Sequence, residues 1–177
     1  EDETIIETKE EVLPELSVIS INTENLAPIV SKDDYINGTF EISGENEDEN
    51  LVTNLRIRGR GNSTWSFPKK PYQIKFDNKE NVLGMPKDKK WILLANYSDK
   101  TMLRNELAFD LSRYSNLNWT SESRFVELFI NNEYLGVYQI VQKVEESSNR
   151  VNIGDNGYLL EVDQLSRLDP DDVFFET

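Results

Sequence analysis

The chain contains neither cysteine nor histidine. Without cysteine there is no disulfide framework, no thiolate nucleophile and no thiolate metal site. Without histidine the Ser-His-Asp triad, the usual zinc centres and the commonest general base are all excluded. No apolar run is long enough to cross a bilayer and no signal peptide is visible, so no membrane insertion is expected. Positive charge is also scarce: 19 lysines and arginines stand against 33 acidic residues, a formal net charge of -14. Such a chain repels polyanions, so no nucleic-acid partner is expected. The same charge does not prevent a nucleotide from being held in a locally basic pocket. A cysteine-free acidic chain also fits a secreted bacterial protein.

What is present reads as a folded domain with polar ends. At 177 residues, with three tryptophans, seven tyrosines and eight phenylalanines, the chain can bury a core. Residues 1–14 read as an acidic leader or linker, and 15–177 as the domain. "ELSVISINT" alternates apolar and polar residues and predicts a strand from about Leu16 to Asn22. "GTFEIS" predicts another, and "GENEDEN" a solvated charged loop. In "NLRIRGRG", Leu55 and Ile57 face one way and Arg56, Arg58 and Arg60 the other. In "PYQIKF", Tyr72, Ile74 and Phe76 point inward, with Gln73 and Lys75 outward. "WILLAN" is a central strand headed by Trp91, and "NGYLLEVDQ" a last one. The best helix is "SDKTMLRNELAFDLSRYSN", capped by Ser98 or Asp99, with an apolar stripe at Leu103, Leu107, Leu111 and Tyr114. "RFVELFINNEYLGVYQIV" predicts a hairpin turning at Asn131 and Asn132. The expected fold class is α+β: a mainly antiparallel sheet with one principal helix. Phe174 and Phe175 near the end have nothing after them to fold against, which predicts an incomplete domain.

One stretch collects the scarce positive charge: "RIRGRGNSTWSFPKKPYQIKF", Arg56 to Phe76. Gly59 and Gly61 can let several backbone N–H groups point at an anion. Asn62, Ser63 and Thr64 add side-chain donors, and Arg58, Arg60 and Lys75 add charge. The arrangement suits a di- or triphosphate. It is neither a Walker loop nor a complete kinase glycine loop, since Thr64 stands at the third glycine's position. The pattern alone more readily describes a glycine-bearing β-turn with arginines on a solvated face.

Together, "RIRGRGNSTW", "KKPYQIKF", "LGMPKDKKWILLANYSDKTMLRNELAFDLS" and "FVELFINNEYLGVYQIVQKVE" resemble the spore-coat protein H (CotH) kinase family, in the right order and over roughly Leu16 to Asp163. The resemblance implies an atypical, secreted kinase with a kinase-like amino-terminal lobe that uses ATP with Mg or Mn. It implies serine phosphorylation of coat or other extracellular proteins, in spore-coat, cell-surface or cellulosome settings. It places Arg58, Gly59, Arg60, Gly61, Asn62, Ser63 and Trp65 over the phosphates, and makes Lys75 the phosphate-binding lysine. Glu106 and Glu127 are the two candidates for the carboxylate that orients Lys75. Arg104 is a possible phosphate contact, and Val141 to Val144 would be an adenine-binding hinge. The family usually has Glu where this chain has Gln142, a departure that keeps a pseudokinase scaffold in view. The family's catalytic and metal-binding aspartates belong to a second lobe. No catalytic or metal residue is therefore assigned here, and this chain alone is expected to be inactive.

Other residues carry less. Trp65 is the one tryptophan considered for ligand contact, while Trp91 and Trp119 read as packing residues. Lys69 and Lys70 are candidates to guide a phosphate or form a solvated pair before Pro71, and Lys69 reads as the solvated kind. Asp169, Asp171 and Asp172 lack the spacing of a calcium loop. The rival reading is a non-catalytic surface module that binds carbohydrate or protein through exposed aromatics such as Trp65 and Tyr97.

Overall fold

The computed structural model describes residues 15–44, 46–162 and 173. Seven strands and one α-helix are described: β1 Ser17–Thr23, β2 Ile36–Ser43, β3 Leu51–Gly59, β4 Tyr72–Val82, β5 Met85–Leu94, α1 Arg104–Arg113, β6 Ser123–Ile130 and β7 Glu133–Gln142. They close into a barrel in the order β1-β2-β3-β4-β5-β7-β6.

Period-two patterning builds it. Along β3 and β4, Leu55, Ile57, Ile74 and Phe76 are almost fully buried, while the residues between them face outward. Matching inward residues come from every strand: Ile19 and Ile21, Phe40 and Ile42, Trp91 and Leu93, Val126 and Leu128, Tyr138 and Ile140. Each fully buried large aliphatic or aromatic side chain contributes about 1.5–3 kcal/mol. The turns follow local chemistry. Asn131 and Asn132 take φ of 52° and 66° between β6 and β7, and Leu83 and Gly84 take 50° and 74° between β4 and β5. Two consecutive positive φ values make the tight turn whose twist suits a hairpin.

The fold class expected from sequence is corrected here. The sheet is mixed and closed, not an antiparallel α+β sheet of kinase-lobe type. Six of the seven neighbouring pairs are antiparallel, and β1 pairs with β6 in parallel, Ser17 opposite Val126 through Ile21 opposite Ile130. Closure removes the two edges that β1 and β6 would otherwise leave as rows of unpaired N–H and C=O groups. Alternation in a sequence says which side chains face inward but not which edge a strand joins. Two further expectations also change. Residues 157–162 hold no strand, and the α1 stripe is open: Leu107 and Leu111 are 60% and 63% exposed. The leader, Asp163, the aspartates at 169, 171 and 172, and Phe174 and Phe175 lie outside the described residues.

No described helix is long and apolar enough to cross a membrane.

Candidate functional site

The strand registers bring much of the sequence motif's charge together. Arg56 stands opposite Lys75, and Arg58 opposite Gln73. Lys75 stands in turn opposite Lys90 on β5. With Ile57 and Ile74 inside, Arg56, Arg58 and Lys75 share the outer face. Arg58 and Lys75 are diagonal neighbours there, a pairing that sets residues about 7–8 Å apart. Like charges set side by side on a sheet are destabilising, so this row stands against the chain's acidity. Arg56 pairs with Asp77 at 3.8 Å and Lys90 with Glu145 at 2.7 Å. Arg58, Arg60 and Lys75 form no salt bridge among the described residues. The Arg58 guanidinium lies 4.8 Å from the centroid of the Tyr35 ring. The Tyr35 hydroxyl accepts a 2.5 Å hydrogen bond from Gln73 Nε2. Burial pulls the Arg60 pKa down, only partly offset by the Glu161 carboxylate, and Arg58 lowers it further.

The glycines serve the loop's packing. A Cβ on Gly59 would lie 2.4 Å from the Trp65 ring, which folds back over it. Gly61 has φ +93°, and a Cβ there would meet Thr64 Oγ1 at 2.1 Å. Two of the loop's amides are already used: Gly59 N–H donates to Ser31 O at 2.8 Å, and Arg60 N–H to Pro71 O at 3.1 Å. Asn62, Ser63 and Thr64 are exposed, the latter two opening a 3₁₀ turn, Ser63–Ser66. Trp65 is half-buried, edge-on to Tyr72 at 6.4 Å.

Both lysines after the loop pack against it, which for Lys69 goes against the expectation of a solvated side chain. Lys70 Nζ donates to Trp65 O at 2.7 Å and lies 4.7 Å from the Trp65 ring centroid. Lys69 Nζ donates to Val137 O and lies 4.5 Å from the Tyr138 ring centroid, tying the loop to β7. Burial pulls the Lys69 pKa down and pushes the Tyr138 hydroxyl up.

Between this loop and the β5–α1 connection lies a cleft of about 200 Å³. Its polar wall is Arg60, Thr64, Lys69, Asn96, Ser98 and Asn105, and Phe67, Leu94 and Tyr97 lie on its apolar side. No acidic side chain among the described residues lines it. A larger cleft of about 500 Å³ beside α1 is lined by Glu106 and Glu122 as well as Arg113 and Arg124, so its charge is internally balanced.

The remaining sequence-derived residues lie elsewhere. Glu106 accepts from Ser123 Oγ and, at 3.0 Å, from Gln139 Nε2, and it pairs with Arg113. Glu127 accepts from the Tyr134 hydroxyl at 3.0 Å. Neither carboxylate forms a salt bridge with Lys75. Arg104 is exposed and sits 3.6 Å from Asp99, whose carboxylate also accepts from the Arg104 N–H. The Gln142 side chain is buried; its Oε1 accepts from the Glu122 N–H at 3.0 Å, and its Nε2 has no partner. Sequence reasoning missed Lys69, Asn96 and Asn105 as site residues. The first was visible as a lysine beside the loop. The asparagines carried no periodic signal, since Asn96 sits at φ 47° just past the end of β5.

The family model described as CotH kinase protein matches residues 57–175. No curated protein matches the chain. The matched span starts within β3, two residues before Gly59, and contains the loop, the 200 Å³ cleft, α1 and the β6–β7 hairpin. Because that span is most of the sequence, this chain belongs to the CotH kinase family.

Proposed function

We propose that residues 15–177 form the nucleotide-binding unit of a secreted atypical protein kinase, which holds ATP for transfer of its terminal phosphoryl group to serines of extracellular or spore-coat proteins. The family supports the kinase class. The observation that carries nucleotide binding is the set of cations that form no salt bridge among the described residues, Arg58, Arg60 and Lys75, at the loop end and outer face of β3 and β4 in a chain of net charge -14. Phosphoryl transfer is governed by positioning and by neutralising charge on the phosphate oxygens. Fixed cations on rigid strands supply both at little reorganisation cost. A nucleotide's phosphates fit this donor set. A protein-held Mg or Mn does not, because no group of three or more Asp or Glu side chains gathers at ligand range among the described residues.

Calorimetric titration of ATP into the protein tests the reading. Lys75→Ala and Arg60→Ala should each weaken binding about tenfold, the equivalent of about 1.4 kcal/mol for a charge-assisted contact. Unchanged affinity in both variants would overturn the assignment.

A further inference from the structure

We propose that Asn156 is a site of spontaneous covalent modification: the Gly157 backbone nitrogen attacks the Asn156 side-chain amide, and the asparagine becomes aspartate or isoaspartate. No bound ligand takes part, so the site stands or falls independently of nucleotide binding.

Asparagine precedes glycine twice in the chain, at Asn37-Gly38 and Asn156-Gly157, and the structure separates the two. A following glycine favours the attack because no Cβ shields its nitrogen and its backbone turns freely. Asn37 and Gly38 lie inside β2, where Gly38 stands opposite Thr23 of β1 and Leu55 of β3. Pairing on both sides holds the backbone extended there. The position is also crowded: a Cβ on Gly38 would lie 2.5 Å from Asn22 O. Curling the chain to bring the Gly38 nitrogen onto the Asn37 side chain therefore requires opening the ladder of a closed barrel. Asn156 meets no such restraint. It sits in an exposed turn with Asp155, outside every strand, and Gly157 is exposed as well. Among the described residues, the hydrogen bond just before the turn runs from the Gly154 N–H to Asn152 Oδ1 at 3.1 Å, and no loop or turn hydrogen bond uses the Gly157 N–H.

Water is the one co-reactant. The Gly157 nitrogen gives up its proton as it bonds to Asn156 Cγ, and the side-chain nitrogen leaves as ammonia. The product is a cyclic imide, with nothing oxidised or reduced. Water then opens the ring at either carbonyl. Addition at Cγ releases a side-chain carboxylate and restores the main chain as aspartate. Addition at the Asn156 main-chain carbonyl leaves the chain running through Cβ and Cγ, as isoaspartate. Either product adds a negative charge to a chain already at -14. Isoaspartate also inserts a methylene into the main chain. The insertion falls between the Glu146–Val151 bridge and Glu161, the carboxylate that acts on Arg60 and Lys143.

Ageing the 177-residue protein at neutral and at mildly alkaline pH tests the site, read by peptide mass mapping and by labelling with an isoaspartate-specific methyltransferase. Conversion should concentrate at Asn156 and run at least about tenfold faster than at Asn37, which must wait for the barrel to open. It should quicken as pH rises, because the attacking nitrogen has to lose its proton. In urea, with β2 unfolded, the two sites should convert at similar rates. Asn156→Gln, whose longer side chain closes the ring far more slowly, should remove the labelling and leave stability unchanged. Asn37→Gln should change nothing in the folded protein. No conversion at Asn156, equal conversion of both asparagines in the folded protein, or labelling that Asn156→Gln leaves undiminished overturns the site. If urea fails to speed conversion at Asn37, the ladder is not what protects it, and the structural distinction between the two sites fails.

Discussion

Arg150 shows how a single residue can be buried yet incompletely satisfied. It is 2% exposed, with its guanidinium 4.6 Å from the Trp91 ring centroid. Nη1 donates to Pro86 O and Asn149 O, while Nε and Nη2 have no partner. Gln142 is the ladder partner of Trp91, and its Nε2 is the other buried side-chain donor left over among the described residues. Unpaired donors thus belong to the residue stacked over the Trp91 indole and to its ladder partner, and a buried donor without an acceptor costs about 1–3 kcal/mol. Gln142→Glu replaces one orphan donor with an acceptor while its other oxygen keeps the bond from the Glu122 N–H. The expected outcome is a gain of about 1–3 kcal/mol at neutral pH in urea denaturation. If the new carboxylate pairs with Arg150, its folded pKa is held below the unfolded value of about 4.3. Its stabilisation is then full above that pH and disappears as pH falls through the lower, folded value. A variant no more stable than the parent at pH 7 would show that the two side chains do not meet. The glycines teach a related lesson. Gly59 and Gly61 were legible as backbone freedom for an anion, but the positions are fixed by the Trp65 ring and a positive φ. A sequence displays that a residue is small without displaying what lies against it.

At the scale of elements, strand faces were readable and partners were not. The alternation in "RIR" and "YQIKF" correctly separated buried Ile57, Ile74 and Phe76 from the outward Arg58 and Lys75, because a strand's side-chain period is fixed by its backbone. The Asn131-Asn132 turn was equally local and equally legible. The helix stripe was not. Leu103, Leu107, Leu111 and Tyr114 recur at helical spacing, and all four are exposed, from 57% to 89%. Periodicity states that a helix has an apolar side, but the described barrel's core is complete without it. Lys69 was misread for a similar reason: its burial depends on β7, 68 residues away in sequence. Substitutions on α1 should therefore be mild. Leu107→Ser should cost under about 0.5 kcal/mol, whereas Leu128→Ala, fully buried on β6, should cost about 2–5 kcal/mol. Parallel urea titrations of the two variants compare them directly. Equal losses would mean that the α1 face is covered in solution.

At the scale of the whole molecule, the seam between β1 and β6 decides how rigidly the cationic face is held. The other neighbours are joined by hairpins, by short loops or by the 28 residues, 95–122, between β5 and β7's hairpin partner β6, yet β1 and β6 meet across more than a hundred residues of sequence. No local signal specifies that contact, and it is the part of the fold that sequence analysis did not recover. Long-range pairing imposes a loop-closure cost that local hairpins avoid. The compensation is that a closed sheet has no fraying edge, and β3 and β4 sit inside a continuous hydrogen-bonded ring. Amide hydrogen exchange separates the closed barrel from an open sheet. In the barrel, seam-facing amides within Ser17–Ile21 and Val126–Ile130 exchange as slowly as those of β3 and β4, because both groups open only when the ring does. An open sheet would leave those two strands as edges, with amides that exchange through local fraying at a far smaller opening free energy. Ile19→Ala sharpens the comparison. Ile19 is fully buried at the seam, opposite Leu128, and its truncation should cost about 2–5 kcal/mol. In a closed ring that loss lowers the protection of β3 and β4 together with β1. If it lowered protection in β1 alone, the outer face bearing Arg58 and Lys75 would not owe its rigidity to closure.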